Sequence, residues 1–196
     1  MDTFNIDKHI YKGRPADKRI PKEEACYDLL DSLGIEYWRV DHDPADTIEK
    51  CHLIEDLINV NVCKNLFLRN RQATNWYMLM MPGDKPFHTK DLSKQLGIAR
   101  LSFGESDMMQ KFTDLTPGSV SILGLMNDKD RKVRLLVDRD ILEGEYIRCH
   151  PCINTSTLKI RTKDAMEILF PYLRHIPTIV SLPDSRLEAK ETEENV

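Results

Sequence analysis

The sequence predicts an α+β fold, a single domain whose mixed, mostly antiparallel curved sheet is flanked by helices. Three observations carry this reading. Helical periodicity is concentrated in the first half of the chain, and strand-like runs dominate the second. Several of those runs are joined by turns of hairpin length, which favours a mixed sheet over a strictly alternating parallel one. Finally, Val133, Leu135 and Val137 alternate while Leu136 adds an apolar residue on the opposite face, the pattern of a strand covered on both sides. At 196 residues the chain is one ordinary domain, long enough to bury roughly 70% of its unfolded surface without a staple.

The elements follow in order. Residues 8 to 22 carry Lys8, Lys12, Arg14, Lys18, Arg19 and Lys22 against Asp17 alone, with Gly13 and Pro15 breaking any helix. Residues 1–20 are therefore expected to form a basic extension, either a solvated leader or an arm lying along an RNA backbone. Pro21 opens a helix in which Ala25, Cys26, Leu29, Leu30 and Leu33 recur at helical spacing and Gly34 is the stop. Ile35 to Val40 reads as a strand, and Asp41-His42-Asp43-Pro44 as a turn without ligand spacing for a metal. A second helix is expected from about Thr47 to Leu57. A strand follows at Cys63 to Arg69, with Asn75 to Met81 as its hairpin partner and Pro82-Gly83-Asp84 as a turn.

Thr89 is expected to cap a third helix ending at Gly97. Arg100 to Phe103 reads as a short strand, and Ser106 as the cap of a fourth helix reaching about Phe112. The stretch Pro117 to Leu125 reads as a glycine loop running into a strand. Val133 to Asp138, Tyr146 to Cys149 and Thr157 to Ile160 are further strands, and Thr162 caps a last helix with Ala165, Met166, Leu169 and Phe170 on one face. The domain is expected to span 21–180, with 181–196 a disordered acidic tail.

Composition excludes some functions. No apolar run approaches the roughly 20 residues of a membrane span. The start lacks the order of a signal peptide, so a soluble, cytoplasmic protein without a membrane partner is expected. Five cysteines leave an odd one and read as reduced thiols. A net charge of −4 argues against broad nucleic-acid binding, DNA included, while leaving room for a local basic face.

Three chemistries compete. Cys149-His150-Pro151-Cys152 places an imidazole between two thiols, but strand neighbours point to opposite faces, and the spacing suits neither a Cys–His pair nor zinc. Gly118-Ser119-Val120-Ser121 lacks the Gly-x-Ser-x-Gly elbow of a serine hydrolase. The third combines Lys64, the Gly118 loop and His150. In it a cation meets a phosphate, loop amides meet a carbonyl oxygen, and bound water attacks. Read alone, a lysine at the head of an apolar strand simply snorkels.

Cys63-Lys64-Asn65-Leu66-Phe67-Leu68, Arg100-Leu101-Ser102-Phe103, Pro117 to Asp128 and His150-Pro151-Cys152-Ile153-Asn154-Thr155 occur in the order of the signature segments of the YbaK/prolyl-tRNA synthetase associated domain family. The chain resembles that family, and its free-standing prolyl-tRNA editing members most, over roughly residues 21 to 175. The resemblance implies a hydrolase acting on the ester of mischarged tRNA(Pro), most of all alanyl-tRNA(Pro), with water as the attacking group. Alternatives are a deacylase for cysteinyl-tRNA(Pro) and a non-catalytic tRNA- or synthetase-binding module of the same fold.

Within the resemblance, Lys64 would hold the phosphate or terminal adenosine of the acceptor end. Gly118 would present loop amides to the aminoacyl carbonyl and the water, and His150 would line the amino-acid pocket. Ser119, Val120, Ser121 and Ile122 fall in the substrate-binding loop, and Asn154 and Thr155 complete the His-Pro-x-x-Asn-Thr segment. The family's loop proline is Ile122 here. No metal or other cofactor is implied, since the substrate's ribose hydroxyl is expected to assist the water. Mischarged tRNA is the implied partner, with prolyl-tRNA synthetase a further candidate.

Overall fold

In a computed structural model of the chain, residues 4–45 and 47–184 are described. The strands divide between two sheets. The first has the order β1 (Tyr11–Lys12), β2 (Tyr37–Asp41), β8 (Ser156–Arg161), β7 (Tyr146–Cys149), antiparallel throughout. The second has the order β5 (Leu101–Phe103), β3 (Cys63–Asn70), β4 (Trp76–Pro82), β6 (Val133–Asp138), β9 (Thr178–Val180). Its β3 pairs are antiparallel, whereas β4–β6 and β6–β9 are parallel. The fold is thus mixed α/β with mostly antiparallel pairing, as the sequence predicts, but its sheet is split in two.

β4 is buried along almost its whole length, and its alternation separates two apolar clusters. Trp76, Met78 and Met80 face the main core, which both sheets share with helix α1 (Pro21–Ser32), α4 (Ser106–Thr113) and the last helix. Tyr77, Leu79 and Met81 face a second cluster, closed by Leu92 of α3 (Thr89–Leu96) and by Val180 and Leu182. β6 divides likewise, Leu136 to one side and Val133, Leu135 and Val137 to the other. A third cluster forms where α2 (Ile48–Ile58) sets Ile54 and Ile58 against Val40.

Helix ends fall close to the predicted signals. Pro21 sits in the first turn of α1, the Thr47 side chain accepts from Lys50 N, and Gly97 takes the left-handed position after α3. The caps of α3 and α4 are His88 and Glu105, one residue before the expected Thr89 and Ser106. The last helix runs as α5 (Thr162–Asp164), a π-helical turn Ala165–Leu169 and α6 (Phe170–Leu173). The wide turn lies just before Pro171, whose missing N–H and ring would disrupt a regular ladder.

Two expectations are corrected here. The strand expected through Leu125 is a 3-10 helix, Ile122–Asn127, because the Ser121 hydroxyl accepts from Leu123 N and starts a tight turn. Gly124 allows it, packed so closely that an added Cβ would lie 2.5 Å from a methyl of buried Leu115. From Phe4 onward the basic extension is tied to the rest of the chain and is not a solvated leader. Tyr11 and Lys12 pair with β2, Arg14 reaches Asp28 at 2.6 Å, Lys12 reaches Glu36, and Arg19 reaches Asp41 at 2.7 Å. The acids of α1 and its surroundings supply partners for charges that looked uncompensated in the linear sequence. Of the expected acidic tail, residues 185–196 lie outside the described residues, and Leu182 is buried. Among the described residues no helix is long and apolar enough to cross a membrane.

Gly124→Ala should lower stability by about 1–3 kcal/mol through overpacking against Leu115. A urea midpoint indistinguishable from the parent would show that the packing there is looser than described.

Candidate active site

The loop between α4 and the 3-10 helix begins with a tight turn, Thr116-Pro117-Gly118-Ser119, closed by Ser119 N donating to Thr116 O at 3.0 Å. The positive φ of 87° at Gly118 is what a type II turn requires, and proline at the second position favours it. A Cβ at Gly118 would meet only Asn154 Nδ2, at 3.7 Å, so glycine is demanded by backbone angle and not by space.

From there the chain is pinned by side chains of neighbouring elements. Asn65 of β3 donates to Val120 O at 3.3 Å. The Ser121 hydroxyl donates to His150 O at 2.5 Å, joining this loop to the β7–β8 connection. Across that connection, Asn154 Oδ1 accepts from Ala45 N at 3.3 Å, and Thr155 O accepts from His42 N. Gly118, Val120, Ser121, Asn154 and His150 are thereby gathered in one place. The amides of Gly118, Val120 and Ser121 meet no protein acceptor among the described residues. Ile122 is fully buried in the main core beneath them, and Val120 is half-buried.

The imidazole of His150 is held in one tautomer. Its Nδ1 lies 2.9 Å from Ser156 O, an acceptor only, so Nδ1 carries the proton and Nε2 is left as an acceptor. Burial pushes its pKa down to about 4 from the usual 6.5, which keeps the ring neutral near pH 7. Its neighbour His42, 6.4 Å away between ring centroids, is also pushed down by burial. Both nitrogens of His42 are engaged, by Asp43 O at 2.7 Å and the Thr157 hydroxyl at 2.9 Å.

Lys64 lies elsewhere. It shares the face of β3 with Leu66 and Leu68, opposite Asn65, and its ammonium donates to Gly83 O at 2.9 Å and Lys85 O at 2.5 Å. The turn Pro82–Lys85 that supplies these carbonyls is anchored by Gly83 N on Val62 O and by buried Lys85 between Asp138 and Asp140. Burial opposes the charge of Lys85, but its bonds to Asp140 and Asp138 hold its pKa above the usual value. Lys64 is therefore joined to the loop through adjacent Asn65, on the far face of one strand. Asn65 is the residue that reasoning from the sequence missed, and its buried Oδ1 has no hydrogen-bond partner among the described residues.

Among the described residues no side chain at the loop is prepared as a nucleophile. The Ser119 hydroxyl donates to Thr116 O and that of Ser121 to a main-chain carbonyl, so neither faces an imidazole nitrogen. Cys149 is buried, which raises its thiol pKa, and Cys26, hydrogen-bonded to Cys152 in the core, is raised well above the ordinary range. What the cluster offers is a row of neutral donors beside a neutral acceptor, the equipment for binding an ester carbonyl and a water.

Comparison with known proteins bears on this arrangement. The sequence profile of the aminoacyl-tRNA editing domain matches residues 42–168. The chain is 33% identical over 148 residues to the prolyl-tRNA editing protein ProX of Acetoanaerobium sticklandii, covering 75% of this chain and 90% of that one. It is 29% identical over 169 residues to prolyl-tRNA synthetase associated domain-containing protein 1 of Danio rerio, covering 85% and 89%. A crystal structure provisionally named a trans-editing enzyme for prolyl tRNA synthetase superposes with a TM-score of 0.63 at 12% identity, covering 84% of this chain and 98% of that chain. At that identity the likeness is one of fold.

Two outcomes follow from the geometry. Gly118→Ala should cost about 1–2 kcal/mol for the left-handed backbone, with no clash to relieve, as read from urea unfolding. Second, unfolded His150 takes up a proton near pH 6.5, whereas the folded ring refuses it until about pH 4. Its contribution to stability is complete above pH 6.5 and is lost as the pH falls toward 4, with a slope of at most one proton. Unfolding midpoints across that range should fall less steeply in His150→Gln than in the parent, and equal slopes would contradict the neutral imidazole.

Proposed function

This chain belongs to the aminoacyl-tRNA editing domain family, and on that premise we propose that it hydrolyses the ester of mischarged tRNA(Pro) in trans. Alanyl-tRNA(Pro) is the leading substrate and cysteinyl-tRNA(Pro) the alternative. A synthetase site built for proline cannot strongly reject a smaller side chain, because a missing methylene is worth only about 1–3 kcal/mol. A second, hydrolytic site is the chemical remedy.

The observation that carries this reading is the meeting of three uncommitted loop amides, at Gly118, Val120 and Ser121, with the bare Nε2 of a neutral His150. In the proposed reaction the aminoacyl carbonyl oxygen accepts from the loop amides, which stabilise the negative charge that develops as water adds to the carbonyl carbon. The ester C–O bond breaks, one proton of the water goes to the departing ribose oxygen and the other to solvent, and the amino acid departs as its carboxylate. The adjacent ribose hydroxyl orients the water, so no side-chain nucleophile is needed.

His150 Nε2, as an acceptor, receives a hydrogen bond from the substrate's ammonium group. A protonated His150 would repel it. Asn154 and Thr155 keep the β7–β8 connection against the loop, and Ser119 and Ser121 hold the loop's own shape. Lys64 provides the positive charge for the terminal phosphate or adenosine from the start of β3. Among proteins, prolyl-tRNA synthetase is the candidate partner. Ile122 acts beneath the loop and Val120 at its surface, so Val120 is the residue placed to set side-chain size.

The decisive measurement is release of labelled amino acid from alanyl-, cysteinyl- and seryl-tRNA(Pro). Release from the first is expected, and Lys64→Ala should slow it on the order of 100-fold while the melting transition stays cooperative. Binding of tRNA without release of any amino acid would identify a binding module instead.

A further inference from the structure

Phe103, on the edge strand β5, is 61% exposed, an unusual setting for a phenylalanine in a strand. Antiparallel pairing with Leu68 puts it on the same face of the sheet as Leu66 and Lys64. Phe87 meets it edge-on, with ring centroids 6.2 Å apart, and fixes its orientation from below. Two shallow, adjoining grooves run past it, and their lining includes Arg71, Lys90, Arg100 and His88, with Asp91 as the one acid.

The three permanent cations come from separate elements: the β3–β4 turn, α3 and the segment entering β5. All are exposed, and none forms an ion pair or side-chain hydrogen bond among the described residues. In the basic N-terminal segment, by contrast, Lys12, Arg14 and Arg19 are all matched to carboxylates. In a chain of net charge −4, a local group of unmatched cations around a flat aromatic stands apart from the surrounding field.

We infer that this patch is an RNA-docking surface, on which Arg71, Lys90 and Arg100 meet backbone phosphates and Phe103 stacks on an unpaired base. The inference rests on the proposal that the substrate is an RNA ester and specifies where that RNA lies. Cation spacing around a stacking platform is the arrangement by which proteins hold single strands without reading sequence. Phe103 lies opposite Leu68, which is four residues along β3 from Lys64, about 13 Å at strand rise, so the patch is within a few nucleotides of the Lys64 turn. The face of β3 between them is covered by Leu92 and Phe87, so the unpaired end would reach the Lys64 turn over the outer surface rather than along the strand. A lipid surface is the weaker fit, because Phe103 is the one strongly exposed apolar side chain in the patch.

The test is equilibrium binding of an uncharged acceptor-stem hairpin, with and without an unpaired 3′ tail, across a range of salt. Phe103→Ala should weaken binding of the tailed hairpin about tenfold and leave the blunt hairpin within about twofold. Arg100→Ala and Arg71→Ala should each lower the slope of log K against log salt by about one. Lys163→Ala, at an exposed position on the last helix, is the control and should match the parent. Equal effects of Phe103→Ala on both hairpins, unchanged salt slopes, or a loss at Lys163 as large as at Arg100 would each overturn the surface. Because the hairpin carries no ester, this result is independent of hydrolysis. An inactive protein that still binds the tailed hairpin through Phe103 would sink the deacylase proposal and leave the docking surface standing.

Discussion

Burial of β4 on both faces is the constraint from which the rest of the arrangement follows. A strand covered on both sides admits no slip in register, since a shift of one residue would drive Met78 and Leu79 into each other's clusters. β3 pairs with it over seven positions, from Cys63 with Pro82 to Arg69 with Trp76, and inherits that register. Neighbouring residues of β3 are thereby sent to opposite sides. Asn65 goes to the side of the glycine loop, and Lys64 to the side of α3 and the edge strand. One strand thus separates the neutral groups around the glycine loop from the Lys64 ammonium and the apolar cluster beside it.

The neutrality of the inner side has its own physical source. His150 is placed where burial disfavours its charged form, and its proton is fixed on Nδ1 by the Ser156 carbonyl. The loop contributes backbone dipoles rather than ions, and the serine hydroxyls are spent on main-chain carbonyls. Such a site can stabilise charge as it develops without holding much charge beforehand, which is the condition for favouring a transition state over a ground state. Permanent cations would be poorly suited there, because an aminoacyl group carries an ammonium of its own.

Much of the fold was legible because local signals and tertiary packing agree. Pro21, Thr47 and Gly97 mark helix ends, and the alternation of Val133 to Val137 marks a buried strand. The misses have particular causes. Val120 to Leu125 has strand-like composition, yet a single hydroxyl at Ser121 turns it into a 3-10 helix. Lys12, Arg14 and Arg19 looked free because their partners, Glu36, Asp28 and Asp41, lie further along the chain. β9 is short and follows a helix, and its pairing with β6 is not written in its own residues. For the site, the glycine loop and His150 were legible as a pair. The separation of Lys64 from Asn65 was in principle available from strand alternation, but the lysine's charge drew attention away from the amide beside it.

Ile122, which the resemblance sets where a loop proline would stand, has a structural setting of its own. A proline at the first position of a helical turn fixes φ and forgoes an amide that would otherwise need a partner. Here Ser121 takes over the fixing, accepting from Leu123 N while donating to the His150 carbonyl. Ile122 is released to fill the main core, where it is fully buried. The turn is thus held by hydrogen bonds of Ser121, and residue 122 presents no surface to a ligand. On the proposed function, discrimination among small side chains then falls to the loop residues above it. On the proposed reading Val120 carries most of it, held in place by the Asn65 amide that grips its carbonyl.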